Sequence, residues 1–280
     1  MKTNLKFVYL ALFLFAFVAG CKKAEEAEDY TEAIQTTEDL ARENEKEDNN
    51  WMYIEGEYVD EDFIQRPASL SGGLLPSCAS VAWSNNNTVL SISFGDASSG
   101  CSTGDGTVLQ GILEATTSGI PVTQGSVIEV SERGFPGTAG FKVGERIVDG
   151  NTTATYRGHG EWDIHREFTV TYPDGKQFGF SGDFHLEKIQ GQGTATMDDD
   201  VYKITGSGSG TNRYGHAYTF EITDPLVKEV SCPYISEGKF EVVVGSVTVE
   251  LDFAPDGVNA CDKRVRLNVN NGKLIQDIEL

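Results

Sequence analysis

Four titratable side chains at every second position, His159, Glu161, Asp163 and His165, form the sharpest chemistry-bearing cluster in the chain. On a strand they share one face, with Gly160, Trp162 and Ile164 on the other. Two imidazoles and two carboxylates are a donor set for zinc, and a carboxylate beside a histidine can serve as acid and base. An extended strand rises about 3.3 Å per residue, which sets the end histidines about 20 Å apart. They meet on one ion only through a bulge or a neighbouring strand, and the other two histidines, His185 and His216, occur singly. The expectation is a solvated strand face above a buried Trp162, with no metal ligands and no catalytic residue.

Gly206-Ser-Gly-Ser-Gly210 lacks the Lys-Ser/Thr pair of a phosphate-binding loop, and no helical pattern follows it. On a strand its three glycines form a smooth stripe, suited to covering by the rings of Tyr214, Tyr218 or Phe220. The same aromatics are the candidate ligand-binding residues, since ring faces stack on sugars. Asp198-Asp199-Asp200 lacks the spaced oxygens and glycine of a calcium loop and reads as a solvated turn. No His-Glu-x-x-His helix occurs, and the chain implies no cofactor.

The elements that must position these residues are strands. Thr88 to Phe94, Val127 to Val130, Phe168 to Tyr172, Gln177 to Leu186, Tyr218 to Ile222, Phe240 to Val244 and Val247 to Phe253 alternate or are dense in β-branched and aromatic residues. Asn85-Asn-Asn87, Pro173-Asp-Gly175 and Asn270-Asn-Gly272 are turn chemistry between them. The fold class expected is all-β: an antiparallel multi-stranded meander, as a curved sheet or a sandwich, over residues 77–280.

Five cysteines bear on compartment. Lys2 and Lys6 precede a short apolar run ending in Val18-Ala19-Gly20-Cys21, the layout of a secretory signal over residues 1–20. Small residues before that cysteine resemble a bacterial lipobox, which makes Cys21 the expected lipid-bearing (palmitate) N-terminus. The remaining four fall into an internal repeat. Cys78, a strand ending in Phe94 and Cys101 are echoed by Cys232, a strand ending in Phe253 and Cys261. The repeat pairs Cys78 with Cys101 and Cys232 with Cys261, in related units at 77–116 and 231–270. Each bridge is worth on the order of 3 kcal/mol by loop entropy.

Residues 21–50 are polar and acidic and read as a tether, and 51–76 as a linker. Tyr30, Ala33, Ile34, Leu40 and Ala41 share one helical face, and Thr36 with Asp39 resembles a capping box, so a short helix is expected within the tether.

Asp198-Asp-Asp-Val-Tyr-Lys-Ile-Thr-Gly-Ser-Gly-Ser-Gly-Thr-Asn-Arg-Tyr-Gly215, with Tyr218-Thr-Phe-Glu-Ile-Thr223 and Pro225 to Cys232, resembles a family of uncharacterised Bacteroidetes lipoproteins. The flanking cysteine units look like the same family's parts. The resemblance covers most of 77–280 and implies an all-β cell-envelope lipoprotein, without an activity to carry over. An acidic run after the lipidated cysteine resembles that phylum's signal for the outer surface, although Lys22, Lys23 and Ala24 precede Glu25-Glu26 here.

The chain has 43 acidic and 22 basic residues, a net charge of −21, which excludes a nucleic-acid partner because phosphate repels it. The function expected is that of a non-catalytic binding, adhesion or structural lipoprotein. Its anchor is the outer-membrane bilayer through acylated Cys21, and its partner an extracellular glycan or protein. The alternatives are a secreted carboxylate-dependent hydrolase of polysaccharide, and a carrier whose curved sheet encloses an apolar ligand.

Overall fold

The computed structural model describes residues 29–58, 74–96, 98–117, 123–194, 197–257 and 261–280. Residues 1–20, Cys21 and the start of the acidic segment lie outside the described residues, as does 59–73 of the expected linker.

Alternating sequences build fifteen strands among the described residues: β1 (Ala79–Ser84), β2 (Val89–Phe94), β3 (Cys101–Ser102), β4 (Val108–Thr117), β5 (Val127–Arg133), β6 (Phe141–Val143), β7 (Arg146–Gly158), β8 (Glu161–Thr171), β9 (Gln177–Gln190), β10 (Val201–Thr211), β11 (Ala217–Glu229), β12 (Ile235–Val244), β13 (Val247–Asp252), β14 (Arg264–Val269) and β15 (Leu274–Glu279). They form one antiparallel sheet in near-sequential order from β1 to β15, with β3 and β6 paired beside β4. The all-β meander is thus a single continuous sheet. Short turns fix this order: Asn85, Asn86 and Asn87 all carry positive φ between β1 and β2, and Asn270 and Asn271 do so between β14 and β15. Asparagine tolerates that left-handed backbone better than other non-glycine residues.

The inward face is apolar in the expected period of two, as in Trp162, Ile164, Phe168 and Val170 on β8 and Phe178, Phe180, Phe184 and Leu186 on β9. Ring contacts continue from β8 to the end of β13 through Phe168, Phe180, Phe184, Phe220, Phe240 and Phe253. Both disulfides join the residues that the repeat pairs, Cys78 to Cys101 and Cys232 to Cys261.

The acidic segment corrects its reading as a tether. It forms helix α1 (Thr31–Glu55), 25 residues long, and residues all around its surface are buried. It touches Phe94 of β2, Phe141 of β6, Trp162 of β8 and Tyr202 of β10, and it packs against β12 and β13, so the sheet curves around it. The expected cap is displaced too. Thr36 and Thr37 lie inside the helix and donate to the carbonyls of Glu32 and Ala33 at 2.7 and 2.8 Å. The turn that starts the helix lies earlier, at Thr31. No proline or glycine interrupts it, and Gly56 follows its end.

Candidate functional site: a cleft between the two ends of the sheet

A helix this polar is buried because the strands carry its complement. Arg213 forks onto Asp39 at 2.6 and 2.7 Å. Arg146 pairs with Glu43, and Arg166, itself 1 % exposed, donates to Asp48 at 2.6 Å. Lys46 of the helix reaches Glu132 of β5 at 3.3 Å. At the C-terminal end Glu55 accepts from the Trp162 indole at 3.1 Å and the Tyr202 hydroxyl at 2.8 Å. At the other end Glu32 accepts from Asn212 at 2.8 Å and sits 2.6 Å from His216 Nδ1, and these two contacts hold its carboxyl below the usual range. His216 therefore has a structural place at the start of the helix, which its isolation in the sequence concealed.

Where the helix is left uncovered, a cleft of about 540 Å³ opens. Arg42, Glu45, Asn49 and Tyr53 of α1 form its floor. Asp105, from the turn between β3 and β4, comes from one end of the sheet, and Tyr234 and Lys263 come from the other. Cys101 lies shortly before Asp105 in the chain, Cys232 shortly before Tyr234 and Cys261 shortly before Lys263, so each disulfide unit adjoins residues of the lining. The cleft collects aromatic rings and acids in one concavity, a combination typical of ligand sites.

Its acids differ in environment. Burial disfavours the Asp105 carboxylate, yet bonds from the Thr103 hydroxyl, the Thr107 backbone N–H at 3.0 Å and the Thr107 hydroxyl at 2.8 Å outweigh burial and hold its pKa below the usual value. Glu45 is the opposite case: burial pushes its carboxyl up to about 7, against the attraction of Lys228 and Lys263. Lys228 is pushed down to about 8 by burial, and its ammonium donates to the Cys232 carbonyl at 2.6 Å.

The aromatics proposed from sequence are separated by the structure. Tyr218 and Phe220 are 2 % and 5 % exposed and face inward, whereas Tyr214 is 47 % exposed on the β10–β11 turn. A side chain added at Gly208 would strike the Phe220 ring, and one at Gly210 the Tyr218 ring, so these two rings cover the glycine stripe. Phe184 does the same for Gly206, and Tyr214 takes no part. Close packing uses up the faces that a sugar would need on Tyr218 and Phe220. The acidic triplet is also corrected in part: Asp200 is fully buried and lies 2.8 Å from the Lys188 ammonium.

The histidine and carboxylate ladder is reshaped as well. His159 is not on the strand; it holds φ of 53° in the turn between β7 and β8. Glu161, Asp163 and His165 do share the outer face of β8, and Trp162 is buried on the inner face. The neighbouring β9 supplies what the sequence reading missed. Asp163 faces His185 at 2.9 Å and His165 faces Asp183 at 2.8 Å, and Arg157 adds a further pair to Asp163. The hydrogen bond from His185, helped by Arg157, lowers the Asp163 pKa. The signal was present in the turn, because the hairpin is symmetric about Asp174 and pairs residues equidistant from it. Among the described residues no group of three or more His, Cys, Asp or Glu side chains gathers where one ion could be held.

No protein-family model, curated protein or solved structure matches this chain.

Proposed function

We propose that this protein is a lipoprotein of the cell envelope, anchored in the outer membrane through acylated Cys21, facing outward and capturing its ligand without transforming it. One observation carries the capture reading: the open cleft between the two disulfide-bonded ends of a sheet whose concave face is otherwise filled by α1. A carrier of apolar cargo needs an empty apolar interior, and here the helix and its ion pairs take up that space. The Val18-Ala19-Gly20-Cys21 sequence supports the anchor, and two disulfides agree with an oxidising compartment.

Hydrolysis is the second reading, favoured by one feature: Glu45 and Asp105 line the same cleft with pKa values pushed in opposite directions. Such a split is what an acid and a base require. Against it, the Asp105 oxygens are engaged by Thr103 and Thr107, which suits a carboxylate that shapes a turn.

Replacing Cys21 by alanine tests the anchor. The variant is expected to lose radiolabelled lipid and move to the soluble fraction; retained label overturns the lipobox reading. Product release from a polysaccharide, abolished in Glu45→Gln, would replace capture by hydrolysis.

A further inference from the structure

Helix α1 carries eight carboxylates, and seven have a hydrogen-bonding or ionic partner: Glu32, Glu38, Asp39, Glu43, Glu47, Asp48 and Glu55. The eighth is Glu45. Among the described residues it has neither a hydrogen bond nor an ion pair, only the longer-range fields of Lys228, Asp48, Asp105 and Lys263. It is also a carboxylate that the helix presents to the cleft. Where every other acid of the helix is matched, five by the sheet and its turns and two by the helix itself, an unmatched one at the mouth of a cavity is a group open to a ligand.

The surroundings specify the chemistry. A cation is disfavoured by Lys228, Lys263 and Arg42 nearby, and an anion by Glu45 itself with Asp105. An uncharged ligand rich in hydroxyl groups meets neither penalty. A half-buried carboxyl whose pKa is raised can exchange hydrogen bonds with hydroxyls in either protonation state. The phenolic rings of Tyr53 and Tyr234 also line the cleft and offer apolar faces of the kind that stack on sugar rings. Lys263, 5.4 Å from the Tyr234 ring centre, is a long flexible side chain that can move aside for a sugar or bond to its hydroxyls.

We infer that the cleft binds a neutral saccharide, with Glu45 as its hydrogen-bonding carboxyl and Tyr234 as a stacking platform. This rests on the capture reading above and names its ligand class.

The test uses the full mature lipoprotein, purified in detergent, titrated calorimetrically with four neutral probes: maltotriose, cellotriose, mannotriose and chitotriose. Trigalacturonate serves as the charged control. Saturable binding of at least one neutral probe is expected. Glu45→Gln and Tyr234→Ala should each weaken it at least tenfold while leaving the thermal midpoint within 2 °C. Lack of binding by all four neutral probes at 5 mM, tighter binding of trigalacturonate, or unchanged affinity in both variants would each overturn the inference. Ser231→Trp, at an exposed point of the cleft lining, should also block binding, and keeps the test sound if Glu45→Gln does not fold. Failure of the anchor would appear separately, in the partitioning of the Cys21→Ala chain.

Discussion

The two faces of β8 carry the same kinds of charged pair and put them to different uses. On the inner face Arg166 meets Asp48 with both side chains nearly inaccessible, while on the outer face Arg157 and His185 meet Asp163 with each group about half exposed. Water can replace a lost partner outside and cannot do so inside. The energetic weight of a pair therefore follows from which side of the sheet it occupies, far more than from its distance.

The inner pair gives the largest expected effect. Arg166→Ala leaves Asp48 as a buried carboxylate with its cation removed, and should cost about 3–5 kcal/mol in denaturant unfolding. Replacing both partners by apolar residues, Arg166→Met with Asp48→Leu, should recover most of that loss, because the desolvation of two charges disappears together with their attraction. A single variant within 1 kcal/mol of wild type would show that the interior is wetter than its burial indicates. Trp162→Ala comes next, at about 3 kcal/mol or more. It removes a ring that packs on Trp51 and Tyr156 and an indole N–H that satisfies Glu55. A cost under 1 kcal/mol would mean that the C-terminal end of α1 is dispensable.

These two sites also mark what could be read from the sequence and what could not. The burial of Trp162 follows from a two-residue period, which is a local property of β8, and the disulfides follow from a repeat that sets two cysteine units side by side. The burial of α1 has no such local sign. Counted alone, its carboxylates argue for solvent; their partners Arg146, Arg166 and Arg213 sit on separate strands or turns, far along the chain, and only the curvature of the sheet brings them to one axis. The cleft was hidden for the same reason, since it exists only where the two ends of the sheet approach the helix. The His185 pairing was legible in principle, through a turn centred on Asp174 that fixes the register of every residue on both arms.

A third way to sharpen the contrast between the faces uses pH. Glu132 is buried beside Glu47 and Lys46, and burial together with Glu47 pushes its carboxyl up to about 8. Lys46 is desolvated as well, but the carboxylates of Glu132, Glu47 and Glu43 around it keep it charged. Three acids around one ammonium retain a proton that the unfolded chain has already lost at ordinary carboxylate pKa. The Glu132 carboxyl is then protonated in the native state and ionised in the unfolded one between about pH 5 and 8, so its contribution to stability is full below that window and is lost as pH rises through it, by up to about 1.4 kcal/mol per unit. Glu132→Gln should flatten that slope, since the amide oxygen still accepts from Lys46 and Asn50 and carries no charge. An unchanged slope would place the retained proton elsewhere.

The smallest effect belongs to the outer face. His165→Ala with His185→Ala deletes both imidazoles of the two cross-strand pairs, yet Asp183 is almost fully hydrated and Asp163 keeps Arg157. No buried group loses its partner, and exposed pairs are typically worth about 0–1 kcal/mol. The double variant should therefore unfold within about 1 kcal/mol of wild type at neutral pH. The Asp163 part of even that difference has a defined sign. A carboxylate with a lowered native pKa contributes above the ordinary aspartate value, and the contribution disappears as pH falls through the native one, so wild type and variant should converge in acid. A loss above 2 kcal/mol, or stoichiometric zinc in the wild-type protein that the double variant lacks, would show that His165 and His185 do on the outer face what the buried pairs do within.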